Sequence, residues 1–196
     1  LVKRLFDIVA GAVLLVLAMP LMVAIAAAIV WDSGRPAFYR QERVGLHGRP
    51  FYILKFRTLR NETPAEIAAA TELDTGGGHL RNPHIGEYMT TVGRFLRKTS
   101  LNELPQLAQV VTGKMSLVGP RPMMPEHARL LGDALAERCS VRPGLTGRAQ
   151  VNGRKDIPLD EFVAHDLDYV RNRTFWHDLV ILLRTPFAVV SGHGAH

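Results

Sequence analysis

Three turns rich in glycine and proline carry arginines: Gly119-Pro-Arg-Pro122, Arg142-Pro-Gly-Leu-Thr-Gly147 and Gln150-Val-Asn-Gly-Arg154. A turn holds a guanidinium more rigidly than a solvated helix face does. Its fork of donors matches phosphate oxygens, and such charge-assisted bonds are about twice as strong as neutral ones. A site for several phosphates is one reading of these turns, and structural prolines and glycines beside solvent-facing arginines is the other. The stretch Arg94-Phe-Leu-Arg-Lys-Thr-Ser-Leu-Asn-Glu-Leu-Pro-Gln-Leu107 is more specific. With Asn102 as N-cap, Pro105 falls at the third helical position, where its missing N–H costs little, and Glu103 sits in the positive end of the helix field. Such a helix start suits anions. A capping box of Ser100 with Glu103 is the competing register, but it sets the Pro105 ring against the carbonyl of Leu101.

Several chemistries drop out. The dinucleotide fingerprint G-x-G-x-x-G, the phosphate loop G-x-x-x-x-G-K-[ST], H-E-x-x-H and G-x-S-x-G are all absent. The eight histidines show no metal-ligand spacing. Cys139 is the only cysteine, which excludes a secreted disulfide scaffold and a zinc finger and points to a reducing compartment. Lys and Arg number 24 against 18 Asp and Glu, a net charge of +6, so the expected partners are anionic. No recognition motif or aromatic-basic platform supports nucleic acid among them.

The scaffold around these residues begins with a membrane segment. From Ile8 to Trp31 there is no charged side chain, and that run is long enough to cross a bilayer. It is too long for the apolar region of a signal peptide, of about 7 to 15 residues. Pro20 near its middle predicts a kink or reversal. Lys3 and Arg4 precede the run and Arg35, Arg40 and Arg43 follow it, so both flanks read as cytoplasmic. A helix broken at Pro20 that dips into one leaflet satisfies both observations, with a kinked spanning helix as the alternative. Residues 1–34 are thus expected to be a re-entrant membrane helix and 35–196 a catalytic domain on the cytoplasmic face. Trp31 suits the head-group level, and Lys3 or Arg4 is placed to pair with Asp7 one turn away.

Residues 36–58 alternate around Gly45-Leu-His-Gly48, which predicts a hairpin ending in Lys55-Phe-Arg-Thr58. Thr63-Pro-Ala-Glu66 opens a short helix to about Leu73, and Gly76 to Gly78 mark a loop that is a candidate lid. Residues 103–112 place Leu104, Leu107, Val110 and Val111 on one helical face, with Gly113 as the stop. Pro158, Asp160 and Glu161 open another helix to about Val170. Trp176, Leu179, Val180, Leu183 and Phe187 form an apolar stripe interrupted at Pro186, suited either to a core or to the bilayer surface. The length fits one folded unit of class α+β: a small core of helices and a β-hairpin, with amphipathic interfacial helices.

Lys3-Arg-Leu-Phe-Asp7, the apolar run with its central proline, Lys55-Phe-Arg-Thr58, Ser100-Leu-Asn-Glu-Leu-Pro-Gln106, Met115-Ser-Leu-Val-Gly-Pro-Arg-Pro122 and Arg142-Pro-Gly-Leu-Thr-Gly-Arg-Ala-Gln-Val-Asn-Gly-Arg154 together resemble the bacterial sugar transferase family, the monotopic polyprenyl-phosphate phosphoglycosyl transferases. The likeness is collinear over nearly the whole chain. It implies transfer of a sugar-1-phosphate from a UDP-sugar to undecaprenyl phosphate at the bacterial inner membrane, with Mg²⁺ and a covalent phosphosugar-carboxylate intermediate. It also implies Glu103 as metal ligand or acid-base partner. Lys55, Arg57, Arg97, Arg121 and Arg154 are the candidates for holding phosphate oxygens. One departure matters: the family pattern has a nucleophilic Asp where this chain has Asn102. An amide caps a helix about as well but has no carboxylate to attack phosphorus. An inactivated variant, a natural member in which Glu103 or another group acts, and a silent protein that binds nucleotide sugars or partners all fit that substitution. Sugar identity is not readable from the sequence, and an oligomer is compatible with it.

Overall fold

The computed structural model describes residues 1–60, 85–153 and 157–190. The expected helix at 63–73, the glycines at 76–78 and Arg154 lie outside the described residues. What is described mixes eight α-helices with two small sheets, an α+β arrangement.

Helix α1 (Val2–Ser33) is one helical element with Pro20 inside it. Its 32 residues correspond to about 48 Å of helix. By length and composition it is apolar enough to cross a membrane. Only Asp7, Gly11, Ile25 and Ile29 are buried, and Val13, Leu14, Val16, Leu17, Met19 and Leu21 are exposed between those two pairs. Both ends are bonded to the rest of the chain. At the start, Lys3 Nζ donates to Asp178 Oδ2 at 2.6 Å, and Arg4 donates to the carbonyls of Val110 and Val111 at 2.7 and 2.9 Å. Asp7 accepts from Ser116 Oγ and Leu117 N. The expected pairing of Lys3 or Arg4 with Asp7 is therefore replaced by tertiary bonds. Lys3 and Arg4 are taken up by Asp178 and by the carbonyls of Val110 and Val111, and the buried carboxylate is satisfied by two donors on β3 instead. At the far end Ile25 and Ile29 pack with Phe56 and Leu96.

The hairpin forms as expected, with β1 (Phe38–Val44) antiparallel to β2 (Pro50–Phe56) and Arg43 opposite Phe51, Gln41 opposite Ile53 and Tyr39 opposite Lys55. Gly48 in the connection has φ +74, a conformation L side chains rarely adopt. Helix α2 (Thr91–Lys98) is capped by Thr90, whose Oγ1 accepts from Gly93 N at 2.8 Å.

A left-handed residue, Ser100 with φ 58, then turns the chain into a 3₁₀ helix over Leu101–Gln106, continued by α3 (Leu107–Val111). This corrects the expected cap: Asn102 lies inside the helical turn, and Ser100 stands at its N-cap without a side-chain cap bond. Pro105 falls inside the 3₁₀ segment, just before the α-helix, where its ring leaves the Asn102 carbonyl without an i→i+3 partner.

Strands β3 (Ser116–Val118) and β4 (Gly144–Thr146) pair in parallel. Beyond them the Gly119-Pro-Arg-Pro and Arg142-Pro-Gly turns touch backbone to backbone: Gly144 N donates to Pro120 O at 2.9 Å, and a Cβ on Gly144 would lie 2.1 Å from Gly119 N. Short helices α4 (Pro125–Arg129), α5 (Ala134–Arg138) and α6 (Arg148–Val151) lead to α7 (Leu159–Asn172) and α8 (Phe175–Val190), which runs through Pro186. Ile53, Leu107, Val110, Met115, Leu117, Val118, Tyr169 and Ile181 form the main core. Helix α8 turns Asp178 and Ile181 inward and leaves Trp176, Val180, Leu183, Phe187 and Val190 exposed, so most of its apolar stripe faces outward.

Candidate functional site

The face of the hairpin that carries Arg43, Ile53 and Lys55, the 3₁₀ helix with Glu103 and Gln106, and the turn with Arg121 and Pro122 converge on one narrow cleft, completed by Gly144 and Leu145. Glu103 is its centre. Glu103 Oε1 accepts from Lys55 Nζ and from Arg121 Nη2, each at 2.8 Å, and Oε2 lies 3.4 Å from Arg121 Nη1. Sequence separations of 48 and 18 residues are closed by these two pairs. The Glu103 side chain retains 17% exposure, Lys55 15% and Arg121 30%, so the pairs are only partly desolvated.

Charge in the cleft is unbalanced. Arg43, Lys55 and Arg121 face one carboxylate, which leaves a surplus of two positive charges when all are ionised. Burial works against the ionised form of Glu103, but Arg121 and Lys55 outweigh it and hold the carboxyl well below the usual range. Burial brings the Lys55 ammonium down to about 8 against the pull of Glu103, with Arg121 and Arg43 adding to the fall. Burial and then Arg121 bring Arg43 to about 10. Arg121 itself is raised, chiefly by Glu103. Low-dielectric surroundings with surplus cations attract an anion strongly.

The Arg121 turn is held from behind. Arg138, 3% exposed, donates from Nε and Nη2 to Asp166 Oδ2 at 2.9 and 2.7 Å and also from Nη2 to the Arg121 carbonyl. Asn102 is half-buried beside Glu103 in the same helical turn, and its side chain has no hydrogen bond among the described residues.

Of the residues the sequence singled out, Lys55, Glu103 and Arg121 meet in the cleft, and Asn102 adjoins it in sequence. Arg57 is used elsewhere: its Nη2 donates to Ser33 O at 2.9 Å, to Ser33 Oγ at 2.7 Å and to Gly34 O, and Nη1 lies 3.4 Å from Arg35 O. It caps the C-terminal carbonyls of α1, which carry the negative end of that helix. Arg97 Nε donates to Thr58 Oγ1 at 2.8 Å, and Arg97 does not line the cleft among the described residues. Arg142 Nε donates to Gly113 O. Arg43 and Gln106 were missed. Both signals were present: Arg43 shares the strand alternation of Ile53 and Lys55, and Gln106 follows Glu103 by the three-residue repeat that stacks side chains on a 3₁₀ helix.

No group of three or more His, Cys, Asp or Glu able to hold a metal occurs among the described residues. Glu103 is the one carboxylate among the residues lining the cleft. Its Oε1 is taken by two cations, whereas Oε2 has only the long contact from Arg121. That donor set fits Mg²⁺ only as the partner of a bound diphosphate, since Mg²⁺ commonly keeps several waters and takes one or two carboxylates plus substrate phosphates.

A family model described as bacterial sugar transferase matches residues 1–192. The undecaprenyl-phosphate galactose phosphotransferase of Salmonella typhimurium is 40% identical over 202 residues, covering 99% of this chain and 41% of that protein. The UDP-glucose:undecaprenyl-phosphate glucose-1-phosphate transferase of Caulobacter vibrioides is 40% identical over 203 residues, covering 99% of this chain and 72% of its own length. The exopolysaccharide production protein ExoY of Rhizobium meliloti is 36% identical over 198 residues, covering 99% and 88% respectively. The chain therefore spans about two fifths of the Salmonella relative and most of the other two.

Proposed function

Since the chain belongs to the bacterial sugar transferase family, we propose that its cleft binds the diphosphate of a UDP-sugar and serves transfer of the sugar-1-phosphate to undecaprenyl phosphate. The observation that carries this reading is the bracketing of Glu103 by Lys55 and Arg121 with Arg43 beside them, a cationic cleft made for phosphate oxygens. The two relatives named for undecaprenyl-phosphate transfer support the acceptor.

The proposed chemistry needs a carboxylate where this chain carries the Asn102 amide, so it is written for the Asn102→Asp form, in which a carboxylate oxygen attacks the phosphorus that bears the sugar. An oxygen–phosphorus bond forms there, the bond to the bridging oxygen breaks, and UMP leaves with that electron pair. The phosphate oxygen of the lipid then attacks the same phosphorus, displaces the carboxylate and yields the lipid diphosphate sugar. Arg121 and Lys55 orient the diphosphate and stabilise the charge that builds on the departing UMP. Glu103 would hold Mg²⁺, whose part would be to neutralise charge on the diphosphate.

A polyprenyl phosphate keeps its chain in lipid and a nucleotide sugar stays in water, so the reacting atoms meet at the interface. The tertiary bonds at both ends of α1 support a helix that enters and leaves one face, with the exposed stripe of α8 lying on the same phospholipid surface. The proposed location is the cytoplasmic face of the bacterial inner membrane.

Asn102 separates binding from chemistry. Glu103 is a poor substitute nucleophile, because its carboxylate is occupied by two cations. Asn102→Asp should leave the thermal midpoint within about 2 °C, since the Asn102 side chain holds nothing in place. Given its UDP-sugar without lipid, the Asp form should gain the mass of one phosphosugar and the Asn form should not. Turnover should rise by orders of magnitude, given losses up to about 10⁶-fold when nucleophiles are removed from other covalent enzymes. Equal turnover by the two forms sinks the assignment.

A further inference from the structure

Two buried donors in the cleft have no acceptor among the described residues. Gln106 is 3% exposed, and its Nε2 makes no hydrogen bond. Arg43 gives its terminal nitrogens to Pro122 O at 3.3 Å and to Gln41 Oε1, whereas its buried Nε makes none. Buried N–H groups are nearly always satisfied, because leaving one unpaired forfeits its bonds to water without replacement. Two such donors on different elements, one on β1 and one on the 3₁₀ helix, line the same cleft as Lys55 and Arg121.

We propose that Gln106 Nε2 and Arg43 Nε are ligand-binding donors for the phosphate oxygens of the nucleotide-sugar diphosphate. This deepens the nucleotide-sugar reading and rests on it. Both orphan atoms are N–H donors, so the ligand atoms they take are acceptors. A diphosphate diester supplies several acceptor oxygens and one negative charge on each phosphate, which matches the cleft's surplus of two positive charges. A sugar or uracil edge mixes donors with acceptors and has no use for that surplus.

The choice of a neutral amide at 106 also has a physical reason. Another ammonium at 106 would face Arg43, Lys55 and Arg121, three cations with one carboxylate among them, and its charged form would be disfavoured. An amide adds a donor without adding charge. The three-residue step from Glu103 to Gln106 stacks them on one side of the 3₁₀ helix, so the carboxylate that fixes Lys55 and Arg121 and the amide that reads the phosphate are delivered by one turn.

The test uses the full chain in detergent, with calorimetric titration of UDP and of uridine in Mg²⁺ buffer, and thermal melts of Gln106→Leu, Arg43→Lys and an Arg171→Ala control. Gln106→Leu and Arg43→Lys should each lose about 10- to 100-fold in UDP affinity, as expected for one hydrogen bond to a charged group. Uridine affinity should not change. Without ligand, Gln106→Leu should melt at or above the wild-type temperature, because an orphan donor is replaced by an apolar side chain of similar length. Arg43→Lys keeps the charge but removes Nε and the terminal nitrogens bound to Pro122 and Gln41, so its melt is read beside its affinity and Gln106→Leu carries the donor test alone. Wild-type UDP affinity in both variants overturns the inference. A lower melt of Gln106→Leu with unchanged affinity also overturns it, since that is the signature of a structural bond. Failure of the wild-type chain to prefer UDP over uridine overturns the nucleotide-sugar reading itself.

Discussion

Replacing Glu103 by Gln tests the electrostatic design of the cleft in two ways at once. The carboxylate is bracketed at 2.8 Å by Lys55 and at 2.8 Å by Arg121. Each unit-charge pair at contact is worth about 4 kcal/mol at an effective dielectric of 20, before the cost of desolvation. Breaking a buried pair costs about 3 to 5 kcal/mol in measured cases. Side-chain exposures of 15 to 30% put this site at the lower end, about 3 kcal/mol. For a chain of this size that lowers the thermal midpoint by about 6 to 12 °C. The deficit should also depend on pH, and its sign follows from Lys55. Its folded-state pKa of about 8 lies below that of a free lysine, and Glu103 is the main influence raising it. Without Glu103 it falls further, so the variant sheds the Lys55 proton at a lower pH than the wild type does. Across that window the unfolded variant binds more protons than the folded one, and its stability rises with pH. The gap to the wild type is therefore full at acidic pH and narrows as pH rises through 8. Only the Arg121 part remains beyond. Melts in detergent at pH 6 and pH 8.5 measure this, and a deficit under 2 °C, or one that widens with pH, refutes the reasoning.

Arg57→Ala should lower the melting temperature by about 6 to 12 °C, from about 3 kcal/mol of lost bonds to the C-terminal carbonyls of α1. UDP affinity should stay within about twofold, and a tenfold loss would return Arg57 to the binding site. Arg121→Ala should weaken UDP binding by at least about tenfold, whereas Arg171, in an exposed pair with Glu137, should tolerate alanine. Equal affinities of those two variants would remove Arg121 from the site. UDP affinity should fall as pH rises through about 8, where Lys55 loses its charge, and Lys55→Arg should shift that fall to higher pH. A profile unmoved by Lys55→Arg would assign the titration to another group. Cysteines placed at exposed Val2 and Trp31 should label from the same side of intact cells, and labelling from opposite sides would exclude a re-entrant α1.

Whatever depends on near neighbours could be read from the order of residues. The apolar run of α1 is a matter of consecutive residue types, and the β1–β2 hairpin follows from alternation around a Gly-rich turn. The motif over residues 100–106 marks a helix start whatever its register. The register itself depended on competing local bonds: Ser100 took a left-handed conformation, which moved Asn102 from cap to helix interior. Partnership was decided only by tertiary structure, because a charge binds whichever opposite charge or orphan carbonyl the fold brings near. Arg57 and Lys55 are two residues apart on the hairpin, and both read as phosphate ligands. The fold gives Arg57 to the end of α1 and Lys55 to Glu103. Asp7 likewise passed over its helical neighbours for Ser116 and Leu117, more than 100 residues away. The cleft joins positions 43, 55, 103, 106 and 121, and spacing along the chain cannot specify that meeting. It is set by packing β2, the 3₁₀ helix and the Arg121 turn together, which then fixes where their charges must balance.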